Sequence, residues 1–476
     1  MICRPLPAGQ SERRRNMSEF DLIIKKGLVV TAGEEYKADI GIRGGKIACI
    51  AGELSGGKEI VDAEGKYVVP GAVDIHTHID APLHGSNTMD DWSDGTRSAA
   101  FGGVTCVVDY PIQAEGQTLR DVIGDSLRKA GDKALVDYSF SPVITQRTEE
   151  VYAEIPQLVK EGFPSFKVFM AYAFRARDEE LIRLLDVVSA AGGILGVHAE
   201  NDWAIEYLTN KMLAQGKTGP VWHGRSRPPI TEEEATGRVV RLAEMVDAPL
   251  LVVHVSAEGA LREIEQARSR GRRIYAETCP HFLILDQELY DQPVEEAAKY
   301  VVTPPLRTAE HRKALWDGLA SGVISLVSSD HCAFSLKEKL RLGKGAFNKI
   351  PHGAPGIETR IPILFSEGVN KGRITAGRFV ELVSTNPAKI AGLYPAKGTI
   401  AVGSDADIAV IDPEKEMVIS TETLHGICDF TPFDGFTVKG LPTQVIAGGR
   451  LIVSDGKLLA EAGGGRLVRR AAFQAF

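Results

Sequence analysis

The sequence predicts an α/β fold, a TIM-like (β/α)8 barrel with a small β-sandwich domain formed by both ends of the chain. Three observations support this prediction. Apolar strand-like runs alternate with amphipathic helical stretches through the middle of the chain, the pattern of repeated βα units around a parallel sheet. These runs number eight, which is the number that closes a barrel. Short alternating strands separated by Gly and charged turns occur at both ends of the chain instead.

The predicted sandwich domain takes residues 17–69 from the start of the chain and residues 393–458 from its end. Its strands are predicted at residues 21–31, 37–42, 46–51, 406–411, 418–420, 437–438, 442–446 and 450–454. No pattern begins before Phe20, so residues 1–16 are predicted to be a disordered tail, unless Met17 is the true start in place of Met1. Residues 459–476 are predicted to be a C-terminal tail.

The barrel is predicted over residues 70–392. Its strands are predicted at residues 73–78, 104–110, 135–141, 166–170, 193–200, 250–256, 273–278 and 324–331. Amphipathic helical stretches follow, such as residues 118–130, 179–191, 231–246 and 257–270. Because barrel active sites lie where the strands end, polar residues at those ends are the candidate functional residues.

The composition argues against several classes of protein. The chain has 476 residues, is 44% hydrophobic and carries a formal net charge of -8, which fits an enzyme with a large core and argues against nucleic acid as a partner. No apolar stretch approaches the ~20 residues that span a bilayer, and the first residues contain arginines but no apolar signal segment. The six cysteines form no C-x-x-C pair, which indicates reduced thiols. We therefore expect a cytoplasmic protein with no membrane partner.

His76 and His78 end the first run, in the sequence VDIHTH. A strand presents residues i and i+2 on one face, so both imidazoles point at one place, and a metal ion is the simplest reason for this arrangement. His198, His254 and Asp330 end the fifth, sixth and eighth runs. Random placement would scatter such residues over helices and loops, so their position at one rim predicts a metallohydrolase site.

Lys167 lies inside the fourth run, in SFKVFM, where an unpaired ammonium is rare. One interpretation is a salt-bridged or snorkelling lysine. The other is that burial lowers its pKa, the neutral amine takes up carbon dioxide, and the resulting carbamate bridges two cations as a carboxylate would. The second fits a site with no glutamate placed to bridge. Asp74 and Glu200 are candidates to orient metal-bound imidazoles.

A set of short motifs runs through nearly the whole chain, namely PGxVDxHTH, SFKVFMAY, VHAEN, VVHVS, TCPH, PPLR, SSDH and KIPxGxPGxExR. With these motifs, in this order, the sequence resembles the dihydropyrimidinase and hydantoinase branch of the cyclic amidases, within the amidohydrolase superfamily. The resemblance extends to TNPA at residues 385–388 and GSDAD at residues 403–407.

This resemblance implies a hydrolase that opens the ring amide of hydantoins or dihydropyrimidines to N-carbamoyl amino acids. It implies two metal sites that share a carboxylated lysine (N6-carboxylysine), one bound by His76, His78, Lys167 and Asp330, the other by Lys167, His198 and His254. A hydroxide that bridges the two metals would attack the carbonyl. Zn is the expected metal, and these ligands also admit Mn or Co. The family further implies a homotetramer.

The resemblance also assigns roles around the substrate. Asp330 would carry a proton from the hydroxide to the leaving nitrogen, and Tyr172 would hydrogen-bond the oxyanion. Thr303 and His352 stand at ring-binding positions where the family usually has Ser and Asn. Those positions bind the ring largely through backbone groups, so the role is expected to survive, with the imidazole of His352 narrowing the pocket.

The substrate class depends on the residues after the His-Thr-His motif. Relatives that act on dihydroorotate or allantoin typically place Arg or Asn shortly after it, whereas this chain has Ile79 and Asp80. No cation is offered there to a substrate carboxylate, so a neutral cyclic ureide or imide is favoured. Two alternatives stay open, an allantoinase-type ureide hydrolase and a non-catalytic dihydropyrimidinase-related scaffold protein.

Overall fold

The structure, a computed structural model, describes residues 19–476. The predictions about residues 1–16 and about Met17 as the start lie outside the described residues. The chain begins with five strands, β1 (Phe20–Val30), β2 (Glu35–Arg43), β3 (Lys46–Ala51), β4 (Gly57–Asp62) and β5 (Tyr67–Pro70). Antiparallel pairs join β1 to β2 and β2 to β3, while β4 and β5 pair in parallel with β1.

Ten strands follow in the middle of the chain: β6 (Ala72–Thr77), β7 (Pro82–Leu83), β8 (Ser86–Asn87), β9 (Val104–Asp109), β10 (Asp137–Phe140), β11 (Ser165–Phe169), β12 (Ile194–His198), β13 (Leu250–Val252), β14 (Ile274–Thr278) and β15 (Leu326–Val327). The β7–β8 pair is a short antiparallel hairpin. The other eight form two parallel sheets, one of order β10-β9-β6 and one of order β11-β12-β13-β14-β15.

The eight parallel strands coincide with the eight predicted runs, which confirms the α/β organisation with parallel strands. Strands β6, β9 and β12 are buried along their whole length, as expected of parallel strands covered on both faces. Isolated parallel bridges lie between the two sheets, from Val143 to Lys167 on one side and from Thr77 to His331 on the other.

Helices follow most of these strands. They are α1 (Trp92–Phe101), α2 (Leu119–Ala130), α3 (Glu149–Lys160), α4 (Asp178–Ala190), α5 (Asp202–Ala214), α6 (Val221–Ser226), α7 (Pro229–Met245), α8 (Glu258–Ser269), α9 (Pro280–Ile284), α10 (Val294–Ala297), α11 (Ala309–Ser321), α12 (Leu336–Leu342), α13 (Arg360–Leu364), α14 (Ala376–Val380) and α15 (Asn386–Ile390). Their starts are set by local chemistry. Thr118, for example, forms a capping box with Asp121 at the start of α2.

Four strands close the chain, β16 (Ile408–Val418), β17 (Thr437–Ala447), β18 (Arg450–Ser454) and β19 (Lys457–Leu458). They join the first five strands in one nine-stranded sheet, of order β19-β18-β17-β16-β5-β1-β2-β3, with β4 paired to β1. The link between the two ends is the antiparallel pair of β5 and β16, which runs from Pro70 opposite Ile408 to Tyr67 opposite Ile411.

A buried ion cluster and the last residues hold this sheet to the parallel strands. Lys397 Nζ lies 2.8 Å from an oxygen of Asp137, in β10, and 3.1 Å from one of Asp405, just before β16. Beyond β19, where a tail is predicted, the chain returns to β10: the Tyr138 N–H donates to the Arg466 carbonyl at 2.9 Å. The Arg470 guanidinium is buried there and donates to Ser139 Oγ at 2.9 Å.

Candidate metal centre

The structure brings together the six residues predicted as metal ligands. His76 lies in β6 and His78 directly after it, Lys167 lies in β11, and His198 ends β12. The other two, His254 and Asp330, follow β13 and β15 by two and three residues. The six side chains therefore meet at the carboxyl ends of five parallel strands. The four imidazoles and the Lys167 side chain are buried, whereas the Asp330 carboxylate is 16% exposed.

The donor atoms of these residues lie close to one another, at separations of 2.7 to 3.6 Å. His76 Nε2 is 2.7 Å from Lys167 Nζ and 3.0 Å from Asp330 Oδ1, which is 3.6 Å from His78 Nε2. Beside this group, His198 Nδ1 and His254 Nε2 are 2.9 Å apart. The side chains thus form one group of four residues and an adjacent pair, with Lys167 in the strand next to that of His198.

Charge and burial suit these donors for divalent cations. Burial lowers the pKa of His198 and holds the pKa values of His78 and His254 well below their usual range, so these imidazoles are neutral and keep a lone pair. Burial alone would raise the pKa of Asp330, but its contact with His76 holds it well below its usual range, and in turn Glu277 and Asp330 raise the pKa of His76 against the effect of burial. Neutral imidazoles and a carboxylate crowded into a buried site are the donor set that transition-metal ions prefer. The residues present therefore fit a binuclear metal site.

Two buried glutamates orient the imidazoles from behind. Glu200 Oε2 lies 2.8 Å from His198 Nε2, as expected from the sequence, and accepts from Arg227 at 2.6 Å. Glu277 Oε1 lies 2.5 Å from His76 Nδ1 and accepts the backbone N–H of His254 at 3.1 Å. Sequence reasoning missed Glu277. The sequence feature that could have identified it is a carboxylate within the largely apolar run of β14.

The suggested role of Asp74 in orienting an imidazole is wrong. Its carboxylate accepts the backbone N–H groups of His76, at 3.3 Å, and Ser329, at 3.2 Å, and pairs with the buried Arg360 at 3.3 Å. The β6–β9 pairing is irregular between Asp74 and Thr77, so the side chains here do not follow a simple alternation. Asp74 therefore braces the backbone beneath the site.

The three residues predicted to bind substrate lie together in a cavity of about 280 Å³ that reaches the ligands. Thr303 Oγ1 is 2.7 Å from His352 Nδ1, and the Tyr172 hydroxyl is 3.4 Å from the same nitrogen. Tyr172 has a φ of 71°, an unusual value for a residue with a side chain, and its N–H donates to Asp202 at 3.0 Å. Positive φ values recur at His254 (40°) and Asp330 (49°), so three of the eight such non-glycine residues in the described chain belong to this site.

His331, next to Asp330, has a different environment. Its Nε2 lies 2.7 Å from Asp90 Oδ2, and its Nδ1 accepts the backbone N–H of Gly356 at 3.1 Å. Both ring nitrogens therefore have partners within the protein, and we interpret His331 as a structural residue.

Comparison with known proteins identifies relatives over almost the whole chain. A sequence model of the amidohydrolase family matches residues 67–452. D-hydantoinase of Geobacillus stearothermophilus is 46% identical over 457 residues, which cover 95% of this chain and 97% of that protein. D-hydantoinase of Ralstonia pickettii is 43% identical over 453 residues, with 95% and 99% covered.

Solved structures agree with these sequence relatives. The crystal structure of dihydropyrimidinase from Brevibacillus agri superimposes with a TM-score of 0.93 at 43% identity, covering 95% of this chain and 99% of the other. The structure of L-hydantoinase from Arthrobacter aurescens matches with a TM-score of 0.87 at 31% identity, covering 95% and 100%.

Proposed function

The chain belongs to the amidohydrolase family and, within it, to the hydantoinases and dihydropyrimidinases, and on this premise we propose how its own residues open a ring amide. It is a metal-dependent hydrolase of cyclic amide C–N bonds, which converts hydantoins or dihydropyrimidines to N-carbamoyl amino acids. The observation that carries this conclusion is the convergence of His76, His78, Lys167, His198, His254 and Asp330 at the ends of parallel strands.

We propose that the eight parallel strands form a closed (β/α)8 barrel over residues 70–392. The bridges from Val143 to Lys167 and from Thr77 to His331 support closure, because they lie at the two places where one parallel sheet meets the other. In a barrel the ends of all eight strands surround one rim, which accounts for the meeting of ligands distant in sequence. The nine-stranded sheet is proposed to be the β-sandwich domain of residues 17–69 and 393–458, and residues 459–476 its C-terminal extension.

We propose two divalent cations, one held by His76, His78, Lys167 and Asp330 and the other by Lys167, His198 and His254. Zn is the first choice and Mn or Co also suit these ligands. When bound, the cations supply a water activated near neutral pH and a Lewis acid for the substrate carbonyl. Metal analysis of the purified protein, with turnover measured after removal and return of each cation, tests this assignment.

Lys167 is proposed to serve as a carbamate. Burial lowers the pKa of Lys167 to about 8, so a neutral amine is available near physiological pH. Its lone pair attacks carbon dioxide, the new N–C bond forms, and the amine loses one proton to give an anionic carboxylate on the lysine. In this form Lys167 would offer a carboxylate in place of an amine, as a ligand shared by the two cations.

Asp330 and Tyr172 are proposed to handle the proton and the oxyanion. Asp330 is ionised and partly exposed to the cavity, so it can take a proton from the attacking water and deliver it to the leaving ring nitrogen. Burial raises the pKa of the Tyr172 phenol, so its hydroxyl stays protonated and can donate to the carbonyl oxygen as negative charge develops there.

Thr303 and His352 are proposed to hold the ureide ring, since both line the cavity beside the ligands. Ile79 is buried, and no arginine lines this cavity among the described residues, which favours a neutral ring over the carboxylate-bearing ring of dihydroorotate. The scaffold alternative is not favoured, because all six ligands and Tyr172 are present. A substrate panel of hydantoin, phenylhydantoin, dihydrouracil, dihydrothymine and allantoin on metal-replete enzyme tests the substrate class.

The compartment and assembly are proposed to be those of a cytoplasmic homotetramer. Buried thiols at Cys106, Cys279 and Cys332 suit a reducing compartment. Within residues 19–476 no helix has the length and hydropathy needed to cross a membrane. Exposed Trp203 and Tyr207, one turn apart on α5, offer apolar surface for subunit contact. Light scattering on the purified protein measures the assembly directly.

A further inference from the structure

His352 has one ring nitrogen that the protein leaves without a partner. Its Nδ1 edge faces Thr303 Oγ1 at 2.7 Å and the Tyr172 hydroxyl at 3.4 Å. Its Nε2 is buried, and no described residue lies within hydrogen-bond distance of it. A buried polar atom without a partner costs free energy in the empty enzyme, and a ligand that bonds to it recovers that cost.

His352 lies between two cavities. His352 lines both the 280 Å³ cavity that contains the metal ligands and an outer cavity of about 440 Å³. The residues common to both are His84, Tyr172, Ala173 and His352. A ring held beside the metal ligands fills the inner cavity, so a substituent on the ring passes these four residues on its way outward.

The outer cavity is polar but provides no unpaired cation among the residues that line it. Arg175 is paired with Asp202 at 2.7 Å, and Arg227 with the buried Glu200 at 2.6 Å. Glu206, Asn210 and Asn348 also line this cavity, and the Glu206 carboxylate disfavours an anionic substituent. Burial lowers the pKa of His223, which packs against His352, to about 3, so this imidazole is neutral. The lining of this cavity therefore suits an uncharged substituent that forms hydrogen bonds. A carboxylate or a purely apolar group suits it less well.

We infer that His352 is a specificity residue, whose Nε2 hydrogen-bonds a neutral polar group on the substituent of the ring substrate. The preferred substrates are cyclic ureides whose substituent ends in a carboxamide or a similar group. A carboxamide both donates and accepts, so it fits whichever tautomer Thr303 imposes on the imidazole. This inference rests on the proposed function and narrows its substrate class.

Two hydantoins of matched shape test the inference, one with a carbamoylmethyl and one with an isobutyl group on the ring carbon, with unsubstituted hydantoin as the reference. The measured quantity is the ratio of kcat/KM for the carbamoylmethyl substrate to kcat/KM for the isobutyl substrate. We expect the wild-type ratio to exceed one by roughly three- to tenfold, the value of one neutral hydrogen bond.

Two variants of His352 distinguish the contributions of its two ring nitrogens to substrate preference. His352→Asn keeps a polar atom near the place of Nδ1 but none near that of Nε2, and we expect it to abolish the preference. His352→Gln reaches the place of Nε2, and we expect it to keep most of the preference. His311→Asn, at a half-buried histidine that contacts the Glu258 N–H far from the cavity, is the control and should leave the ratio unchanged.

A wild-type ratio near one, or an equal ratio in wild type and His352→Asn, overturns the inference while turnover of plain hydantoin upholds the proposed function. If the metal-loaded wild-type enzyme opens none of the three rings, both the proposed function and the inference that rests on it are wrong. The wild-type ratio alone decides the matter should a variant fail to fold.

Discussion

Thr303 Oγ1 and His352 Nδ1 lie 2.7 Å apart, so the two side chains that depart from the usual Ser and Asn of hydantoinases contact each other. Both line the cavity that is proposed to hold the ring, and the Tyr172 hydroxyl is within 3.4 Å of the same imidazole nitrogen. The two departures therefore form a matched pair that acts on one part of the pocket.

A double-mutant cycle measures this pairing. Thr303→Val removes the hydroxyl with little change in shape and leaves His352 Nδ1 without its nearer partner, so KM for hydantoin should rise. We expect Thr303→Val and His352→Phe to be non-additive by about 0.5–1.5 kcal/mol in kcat/KM, the net value of one hydrogen bond. Strict additivity would show that the two side chains act independently.

Lys167→Ala should give a folded protein with reduced metal content and almost no activity, because the ligand proposed to bridge both cations is gone. Short carboxylic acids added to the variant should restore part of both. Metal analysis and turnover are the measurements, with Lys133→Ala, at a surface lysine paired with Asp91, as the control. Mass spectrometry or carbon NMR of the active wild-type enzyme that found Lys167 unmodified would rule out the carbamate.

Reactivation of metal-stripped enzyme by bicarbonate and metal should depend on pH in a definite direction. Only the neutral amine reacts with carbon dioxide, and burial lowers the pKa of Lys167 to about 8. Below that pKa the neutral fraction falls about tenfold per pH unit, so carbamate formation at about pH 6 should be roughly fiftyfold slower than at about pH 8. The measurement is the initial rate of reactivation at fixed dissolved carbon dioxide. A rate that stayed constant over this interval would contradict a carbamate formed by a free amine.

Asp330→Asn keeps an oxygen donor but removes basicity, so it separates metal binding from proton transfer. Metal content should fall modestly, while kcat should fall by roughly 10²- to 10⁴-fold, as is typical for a lost general acid/base. Asp317→Asn, at an exposed aspartate on α11, is the control. Near-normal turnover by metal-replete Asp330→Asn would remove the proton-transfer role from Asp330.

Glu277→Gln should weaken metal binding because Glu277 fixes His76 through Nδ1 and also accepts the His254 backbone N–H. The expected loss is roughly 10- to 100-fold in metal affinity, measured as sensitivity of activity to a chelator. Glu234→Gln, at an exposed glutamate that pairs with Arg238 on α7, provides the comparison. An unchanged chelator midpoint in Glu277→Gln would show that the contact with His76 is not needed for metal binding.

The sequence predicted those features that depend on local periodicity. His76 lies in β6 and His78 directly follows that strand, so the expectation that two residues spaced by two point the same way came from the strand-like run alone. The unusual position of Lys167 within an apolar run could likewise be recognised from the sequence without knowing which residues contact it. The six predicted ligands could therefore be located from their own apolar runs, and they meet because those runs are parallel strands with their carboxyl ends on one side.

Features that depend on distant partners were not accessible in the same way. Glu277 is 201 positions from His76, and their contact depends on how β14 and β6 are placed around the parallel strands. Asp74 was misassigned because the irregular pairing of β6 and β9 turns its carboxylate to backbone N–H groups and Arg360. The Thr303–His352 contact joins two loops 49 positions apart, which no period in the sequence relates.

The pairing of β5 with β16 also affects the order in which parts of the chain can fold. Strand β5 leaves the ribosome early, yet its neighbour in the sheet, Ile408–Val418, is synthesised only after the whole set of parallel strands. Until then the edge of β5 (Tyr67–Pro70) has free backbone groups, which are a template for pairing with another nascent chain. This pair can therefore form only late in synthesis, and the yield of this enzyme in a foreign host should respond to slower synthesis and to chaperones that shield strand edges.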